Sequence, residues 1–156
     1  MPHPLRLVSA AYLVTIVGCQ QAPDDTALTV TETSRDFGDY VVHFNALTTD
    51  QLTAEIAQRH GIVRSNSRAI LNVSILRKEE GSIGVPVAAE VGISASNLTG
   101  QLKNVAVQEV REEGAIYYIA ECAVANAETL IFEIDVTPES EDNALSVRYR
   151  KQFFLN

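Results

Sequence analysis

Long hydrophobic runs are scarce in this 156-residue chain, and this scarcity excludes one kind of membrane anchor. The apolar run near the N-terminus, residues 7–17, has eleven residues, whereas a membrane-spanning helix needs about 20. A run this short is typical of the hydrophobic region of a secretory signal. We therefore expect the run to direct export and then to be removed.

The signal resembles that of a bacterial lipoprotein. Arg6 supplies a positive charge before the apolar run, and small residues end the run directly before Cys19. We expect residues 1–18 to be the lipoprotein signal peptide, Cys19 to carry the lipid, residues 19–27 to form a polar tether and residues 28–156 to fold as one domain. The predicted location is therefore the periplasm, with attachment through the lipid.

The residue after Cys19 is Gln20 rather than Asp. By analogy with lipoprotein sorting in Gram-negative bacteria, this predicts transport to the outer membrane.

Cysteine is also scarce. The chain contains two cysteines, and the lipid would occupy Cys19, so Cys122 has no partner for an intramolecular disulfide. Stability must then come from packing. We expect Cys122 to be a small buried hydrophobic residue, because its neighbours form an apolar strand and provide no positive charge to activate a thiol.

Basic residues are outnumbered by acidic ones. The whole chain has 12 Lys and Arg against 20 Asp and Glu, and removal of residues 1–18 takes one basic residue away. An acidic domain repels the phosphates of nucleic acids and the headgroups of anionic lipids. The composition argues against nucleic-acid binding and leaves the lipid as the predicted contact with the membrane.

From about residue 28 onward, apolar and polar residues alternate with the period of two that is typical of strands. Seven or eight such segments occur, with short connections between them. We predict an all-β fold with one short helix. Its predicted architecture is an antiparallel immunoglobulin-like β-sandwich, and a barrel is the second possibility. Residues 69–77 and 85–95 are expected to pair as a long hairpin. Residues 115–120 are apolar on both faces, which predicts a central strand.

The predicted helix covers residues 54–60. Thr53 can cap its N-terminus, and Gly61 can take the left-handed conformation after its last turn. A helix of two turns is marginal alone. We expect apolar residues around it to hold it against one end of a sheet.

Sequence templates for catalysis and metal binding are missing. No His or Cys pair has metal-ligand spacing, no Gly-x-Ser-x-Gly or phosphate-binding glycine loop occurs, and the Glu pairs fall in turns. The alternation places His43 and Asn45 on the face of their strand opposite the core, and both are candidate binding residues. A dyad of Cys122 and His43 has no local support. We expect no metal and no cofactor.

Four arginines are further candidates for binding. Arg64 and Arg68 flank a polar loop, and Arg148 and Arg150 share one face of the last strand. Such a basic patch could recognise a carboxylate of a peptide or cell-wall fragment. The other interpretation, which we favour, is a charged edge strand that resists pairing with another sheet.

Five segments carry a resemblance to a known family: residues 37–46 (FGDYVVHFNA), 63–67 (VRSNS), 72–75 (NVSI), 97–101 (NLTGQ) and 113–118 (EGAIYY). Together they resemble the small exported proteobacterial envelope proteins of the domain of unknown function 4426 family. The resemblance implies an exported, mostly β, single-domain protein with no established activity. Members of the family tend to carry a plain cleavable signal, in contrast to the lipoprotein-like signal here.

Three functions are compatible with these observations. The leading hypothesis is a non-enzymatic, lipid-anchored periplasmic domain that binds another envelope protein or a peptide. The second is a hydrolytic enzyme for cell-wall or peptide material, with His43 as its base. The third is a structural subunit of an envelope assembly, which an exposed apolar patch around Tyr117 and Phe154 would favour.

Overall fold

The computed structural model describes residues 32–155. The predicted signal peptide, the tether and the first residues of the predicted domain lie outside this range. The described residues form nine strands, one turn of 3-10 helix (Thr49–Gln51) and one α-helix, α1 (Ala54–Arg59). The strands are β1 (Ser34–Asp36), β2 (Tyr40–Thr48), β3 (Arg68–Arg77), β4 (Val85–Pro86), β5 (Ala89–Asn97), β6 (Ala106–Glu112), β7 (Ala115–Ala123), β8 (Thr129–Pro138) and β9 (Leu145–Gln152).

The strands make two antiparallel sheets. The larger sheet has the order β1-β2-β3-β7-β6 with β4 paired to β3, and the smaller sheet has the order β5-β8-β9. The orders β2-β3-β7-β6 and β5-β8-β9 match the A-B-E-D and C-F-G sheets of an immunoglobulin constant-type domain. The predicted immunoglobulin-like β-sandwich is confirmed, and β1 and β4 are short additions to its seven strands.

The hydrophobic core lies between the two sheets. Along β2, the side chains of Tyr40, Val42 and Phe44 are buried, while His43 and Asn45 point away from the core and are exposed. The same alternation runs through both sheets, because successive side chains of a strand point to opposite faces. The largest fully buried side chains come from β3 and β8: Phe132, Leu71, Ile75, Leu130 and Ile134.

The predicted long hairpin between residues 69–77 and 85–95 is wrong. Of the predicted return strand, residues 85–95, only the two residues of β4 form strand pairs with β3. The rest of that segment is mainly β5, which belongs to the smaller sheet. The chain crosses between sheets just before Ala89, where the Tyr118 hydroxyl accepts a hydrogen bond from the Ala89 amide and donates one to the Ala89 carbonyl, each at 2.8 Å. Alternation identified both strands, but it contains no information on which sheet each strand joins.

Helix α1 covers part of the outer face of the larger sheet. The Thr53 hydroxyl accepts a hydrogen bond from the Ile56 amide at 3.2 Å, and Gly61 has a φ of +67°, so both predicted helix ends are confirmed. A second apolar cluster joins the segment around α1 to outward-facing residues of β3, β6 and β7: Ala57, Ile62, Ile70, Val110 and Ile119. This cover explains why β7 is apolar on both faces.

The described residues contain no helix with the length and hydrophobicity required to cross a membrane.

Replacing Tyr118 with Phe tests the bridge between the sheets. The change leaves the buried Ala89 amide and carbonyl without their partner, which costs about 1–3 kcal/mol for a buried unsatisfied group. Since two groups lose their partner, we expect urea unfolding to show a loss of at least that size. The matched control is Tyr117→Phe on the other face of β7, where the hydroxyl lies 3.4 Å from His60 Nε2. An equal or larger loss in the control would contradict the role of the bridge.

Candidate functional site

Five outward-facing side chains meet at the centre of the larger sheet. His43 of β2 lies opposite Ser74 of β3, and Ser74 lies opposite Tyr117 of β7. One step along the same strands, Asn45 lies opposite Asn72. We call these five residues, together with the apolar residues that line the three depressions described next, the uncharged face. The register of three neighbouring strands brings together hydroxyl, amide and imidazole groups that lie far apart in the sequence.

The uncharged face is concave. It contains three adjoining depressions with volumes of about 200, 230 and 250 Å³, and Asn72 lines all three. Leu52 and Ile56 form a wall on the side of α1, while Ile83 of the connection between β3 and β4 borders the opposite side. Among the described residues that line these depressions, none is Asp, Glu, Lys or Arg.

The outer face of the smaller sheet has a different composition. Its exposed positions include five charged residues: Glu90, Glu133, Asp135, Arg148 and Arg150. A strand face in contact with water normally carries such charges. The centre of the larger sheet is therefore the unusual face of this sandwich, since it is open to water but lacks formal charge.

A polar cluster closes one edge of the uncharged face. His60, the residue after α1, has its Nε2 atom 3.4 Å from the Tyr117 hydroxyl and 3.6 Å from a Glu112 carboxylate oxygen. Burial raises the pKa of Tyr117, and the negative charge of Glu112 raises it further. Tyr117 therefore keeps its proton at neutral pH and can donate a hydrogen bond.

The structure brings two of the predicted binding residues, His43 and Asn45, into the uncharged face. Sequence reasoning missed Asn72, Ser74 and Tyr117 as members of the same surface. Their outward direction follows from alternation, but the register between β2, β3 and β7 was needed to place them beside His43.

The four predicted arginines lie elsewhere. Arg64 donates a hydrogen bond to the Asp50 carbonyl at 2.7 Å, and Arg68 forms an ion pair with Glu121 at 2.9 Å. Arg148 pairs with Glu133 at 3.3 Å across two strands of the smaller sheet, and Arg150 is exposed near it on the edge strand β9. The arginines therefore form two separate groups. Arg64 lies just before β3 of the larger sheet and Arg68 begins it, whereas Arg148 and Arg150 lie on β9 of the smaller sheet. Their part in binding stays a prediction.

The imagined dyad of Cys122 and His43 is ruled out by geometry. Cys122 is buried in the core on the inner face of the larger sheet, whereas His43 is exposed on the outer face. Burial also raises the pKa of Cys122 to about 11, so the thiol is a weak nucleophile at neutral pH.

His43 also lacks the contacts of a catalytic base. Within residues 32–155, His43 shares a depression with Ser74 but forms no hydrogen bond to a hydroxyl or a carboxylate, so the bonded arrangement of a nucleophile, a base and an orienting group is not formed. The same residues contain no group of three or more His, Cys, Asp or Glu side chains arranged to hold a metal ion.

The sequence profile of the domain of unknown function 4426 (DUF4426) matches residues 34–156. The chain belongs to the DUF4426 family. The fold is similar to the crystal structure of a DUF4426 family protein from Pseudomonas aeruginosa PAO1, with 35% sequence identity, a TM-score of 0.67, and coverage of 81% of this chain and 97% of that chain. The resemblance noted in the sequence is therefore confirmed. A comparison with curated proteins gave no match.

The thiol of this DUF4426 protein provides a test of the core. In the Cys19→Ala variant, Cys122 is the remaining cysteine, and at pH 8 a thiol with a pKa near 11 is ionised on the order of 0.1%. We expect iodoacetamide to leave the folded protein unmodified and to label Cys122 completely in urea. Rapid labelling of the folded protein would contradict the burial of this side chain.

Proposed function

We propose that this DUF4426 protein is a lipid-anchored periplasmic domain that binds an uncharged segment of another envelope protein or peptide on the uncharged face. The observation that carries the proposal is the contrast between the two exposed sheet faces. The outer face of the smaller sheet is charged in the ordinary way, whereas the centre of the larger sheet is concave, framed on two sides and free of formal charge among its described lining residues.

The composition of the uncharged face suits a protein ligand. The centres of protein interfaces are depleted of charged residues and enriched in aromatic ones, because a charge is costly to strip of water. Asn45 and Asn72 can each donate and accept hydrogen bonds through their amides, which matches the amide and carbonyl groups of an extended peptide. Tyr117 supplies an aromatic surface together with a hydroxyl donor.

The lack of charge also selects among ligands. A charged side chain of the ligand would lose hydration on this surface without gaining an opposite charge in return. An uncharged segment has no such cost. We therefore expect the bound segment to consist of apolar and amide- or hydroxyl-bearing residues.

The two other hypotheses receive less support. A hydrolase would need His43 to form a hydrogen bond with a nucleophile, and the described geometry lacks that hydrogen bond although Ser74 lies opposite His43. An assembly subunit was expected to show one apolar patch around Tyr117 and Phe154. Instead, Tyr117 lies in the uncharged face and Phe154 lines a separate depression beside β9.

The lipid anchor is supported by the sequence alone. The short apolar run, the small residues before Cys19 and the polar segment after it together favour lipidation, and Gln20 favours the outer membrane. Attachment would confine the binding domain to the membrane surface, so that its partner is found at high local concentration.

Metabolic labelling tests the anchor. Cells that express the protein are grown with radiolabelled palmitate, and the protein is then purified. We expect label in the wild-type protein and its loss in Cys19→Ala. Cys122→Ala is the matched control and should keep the label, because Cys122 is buried in the folded domain. Label that persists in Cys19→Ala would contradict lipidation at this residue.

Photo-cross-linking in intact cells tests the binding face. A benzoylphenylalanine residue is placed at Asn72, at the centre of the uncharged face, and in a second strain at Ser94, which is exposed on the outer face of the smaller sheet. We expect a discrete adduct of higher mass from Asn72 and none from Ser94.

The adduct can be checked for dependence on the surface itself. Adding His43→Lys to the Asn72 reporter places a charge on the uncharged face and should reduce the adduct several-fold, whereas adding Thr137→Lys on the smaller sheet should leave it unchanged. The proposal fails if ultraviolet light produces no adduct at Asn72, or if Ser94 yields the same adduct.

A further inference from the structure

The connections at the two ends of the sandwich differ in charge. At one end, the connections 37–39, 78–84, 113–114 and 139–144 contain seven acidic residues and one basic residue. At the other end, the connections 49–67, 98–105 and 124–128 and the final residues 153–155 contain three acidic and three basic residues. We call these the acidic end and the apolar end.

The apolar end also concentrates exposed hydrophobic side chains. Five of the seven exposed large hydrophobic residues in the described part of the chain belong to its connections or to the C-terminal segment. Ile56 borders the uncharged face. The other four are Val63, Leu98, Leu102 and Phe154, each between 63% and 75% exposed. The acidic end has one, Ile83. Single exposed apolar residues are ordinary on protein surfaces, but four of them at one end form a localised feature.

Hydrogen bonds and an ion pair join the segments that carry these side chains. The Lys103 ammonium lies 2.6 Å from the Glu128 carboxylate, which connects the segment containing Leu98 and Leu102 to the turn before β8. The Leu155 amide donates to the Asn126 side chain at 3.0 Å, which ties the C-terminal segment to the same turn.

The connection that contains Val63 is joined to this end as well, because the Val124 amide donates a hydrogen bond to the Ser67 carbonyl at 2.9 Å. The apolar end is therefore a connected surface and not a set of independent loops. Because Lys103 and Glu128 pair with each other, this surface presents little net charge to a bilayer.

We infer that the apolar end is a membrane-docking surface that holds the domain against the lipid bilayer with its acidic end facing away. Strand β1 runs antiparallel to β2, from Ser34 opposite His43 to Asp36 opposite Val41, and therefore runs toward the acidic end. The polypeptide thus enters β1 from the side of the apolar end. An anionic lipid surface repels the acidic end and accepts the apolar end, in which acidic and basic residues balance. The net negative charge of the whole chain conceals this difference.

The lipid at Cys19 would not orient the domain by itself. Cys19 precedes Thr33 by 14 residues, and an extended segment of that length spans about 45 Å. That reach allows either end of the sandwich to face the bilayer. The end that makes favourable contact with lipid would then set the orientation of the domain. With the apolar end on the bilayer, the uncharged face lies on the side of the sandwich and stays open to a partner.

Single tryptophan reporters test the orientation, because the natural sequence contains no Trp. The full chain, purified from membranes, is reconstituted into vesicles of phosphatidylethanolamine and phosphatidylglycerol with brominated acyl chains. Leu98→Trp and Phe154→Trp report on the apolar end, and Ile83→Trp reports on the acidic end. All three side chains are exposed, so the substitutions should leave the fold intact.

We expect bromine to quench the fluorescence of Leu98→Trp and Phe154→Trp at least twofold more than that of Ile83→Trp. Equal quenching of all three reporters, quenching confined to Ile83→Trp, or failure of the chain to float with the vesicles would overturn the inference. The inference adds to the proposed lipid attachment and is independent of the uncharged face. If the chain floats with the vesicles but quenching is not selective, docking of the apolar end is refuted while lipid attachment stands. Binding at the uncharged face is tested separately by the adduct at Asn72.

Discussion

The bridge made by the Tyr118 hydroxyl fixes the arrangement on which the rest of the structure depends. Tyr118 lies on the larger sheet, and its hydroxyl satisfies both the amide and the carbonyl of Ala89 where the chain enters the smaller sheet. Two buried backbone groups that would otherwise lack partners are satisfied by one side chain. The bridge lies where the chain leaves the larger sheet, and from Ala89 onward β5 pairs with β8 in the smaller sheet. The core therefore forms between the two sheets, and the centre of the larger sheet keeps one face in contact with solvent.

The two-residue alternation of side chains along each strand then determines which residues lie on the outer face of the larger sheet. Because the inner positions of β2, β3 and β7 are apolar and buried, the alternate positions must point outward. Helix α1 covers the outer face on the side of Ile70 and Ile119, while the remainder around Asn72 stays open. A surface with no function to perform would be expected to carry charges here, as the smaller sheet does at Glu133 and Arg148.

Much of the fold could be predicted from the sequence, because local patterns specify local structure. The alternation around Phe44 identified a strand and its buried face, and Thr53 and Gly61 marked the ends of α1. The pairing of β3 with β5 was predicted wrongly, because both strands have the same alternation and the bridge from Tyr118 to Ala89 joins residues 29 positions apart in the sequence. A contact of that kind leaves no periodic signal.

The candidate site was predictable only in part for a related reason. The outward direction of His43 and Asn45 follows from their own strand, but their neighbours Ser74 and Tyr117 depend on the register across three strands. His60 lies directly after α1, and its contacts with Tyr117 and Glu112, which are distant in the sequence, place it at the wall of the uncharged face. Apolar residues on both faces of β7 were the one sequence signal that something covers the outer side of this sheet.

On the proposed function, a ligand occupies the uncharged face in the cell. Hydroxyl-radical footprinting measures this occupancy directly, by comparing the oxidation of the His43 and Tyr117 side chains in intact envelopes with that in the purified protein. We expect both side chains to be oxidised several-fold more slowly in envelopes, because a bound segment shields them from solvent. Equal oxidation rates in the two preparations would show that this face is open in its native setting and would refute the proposed binding of a segment there.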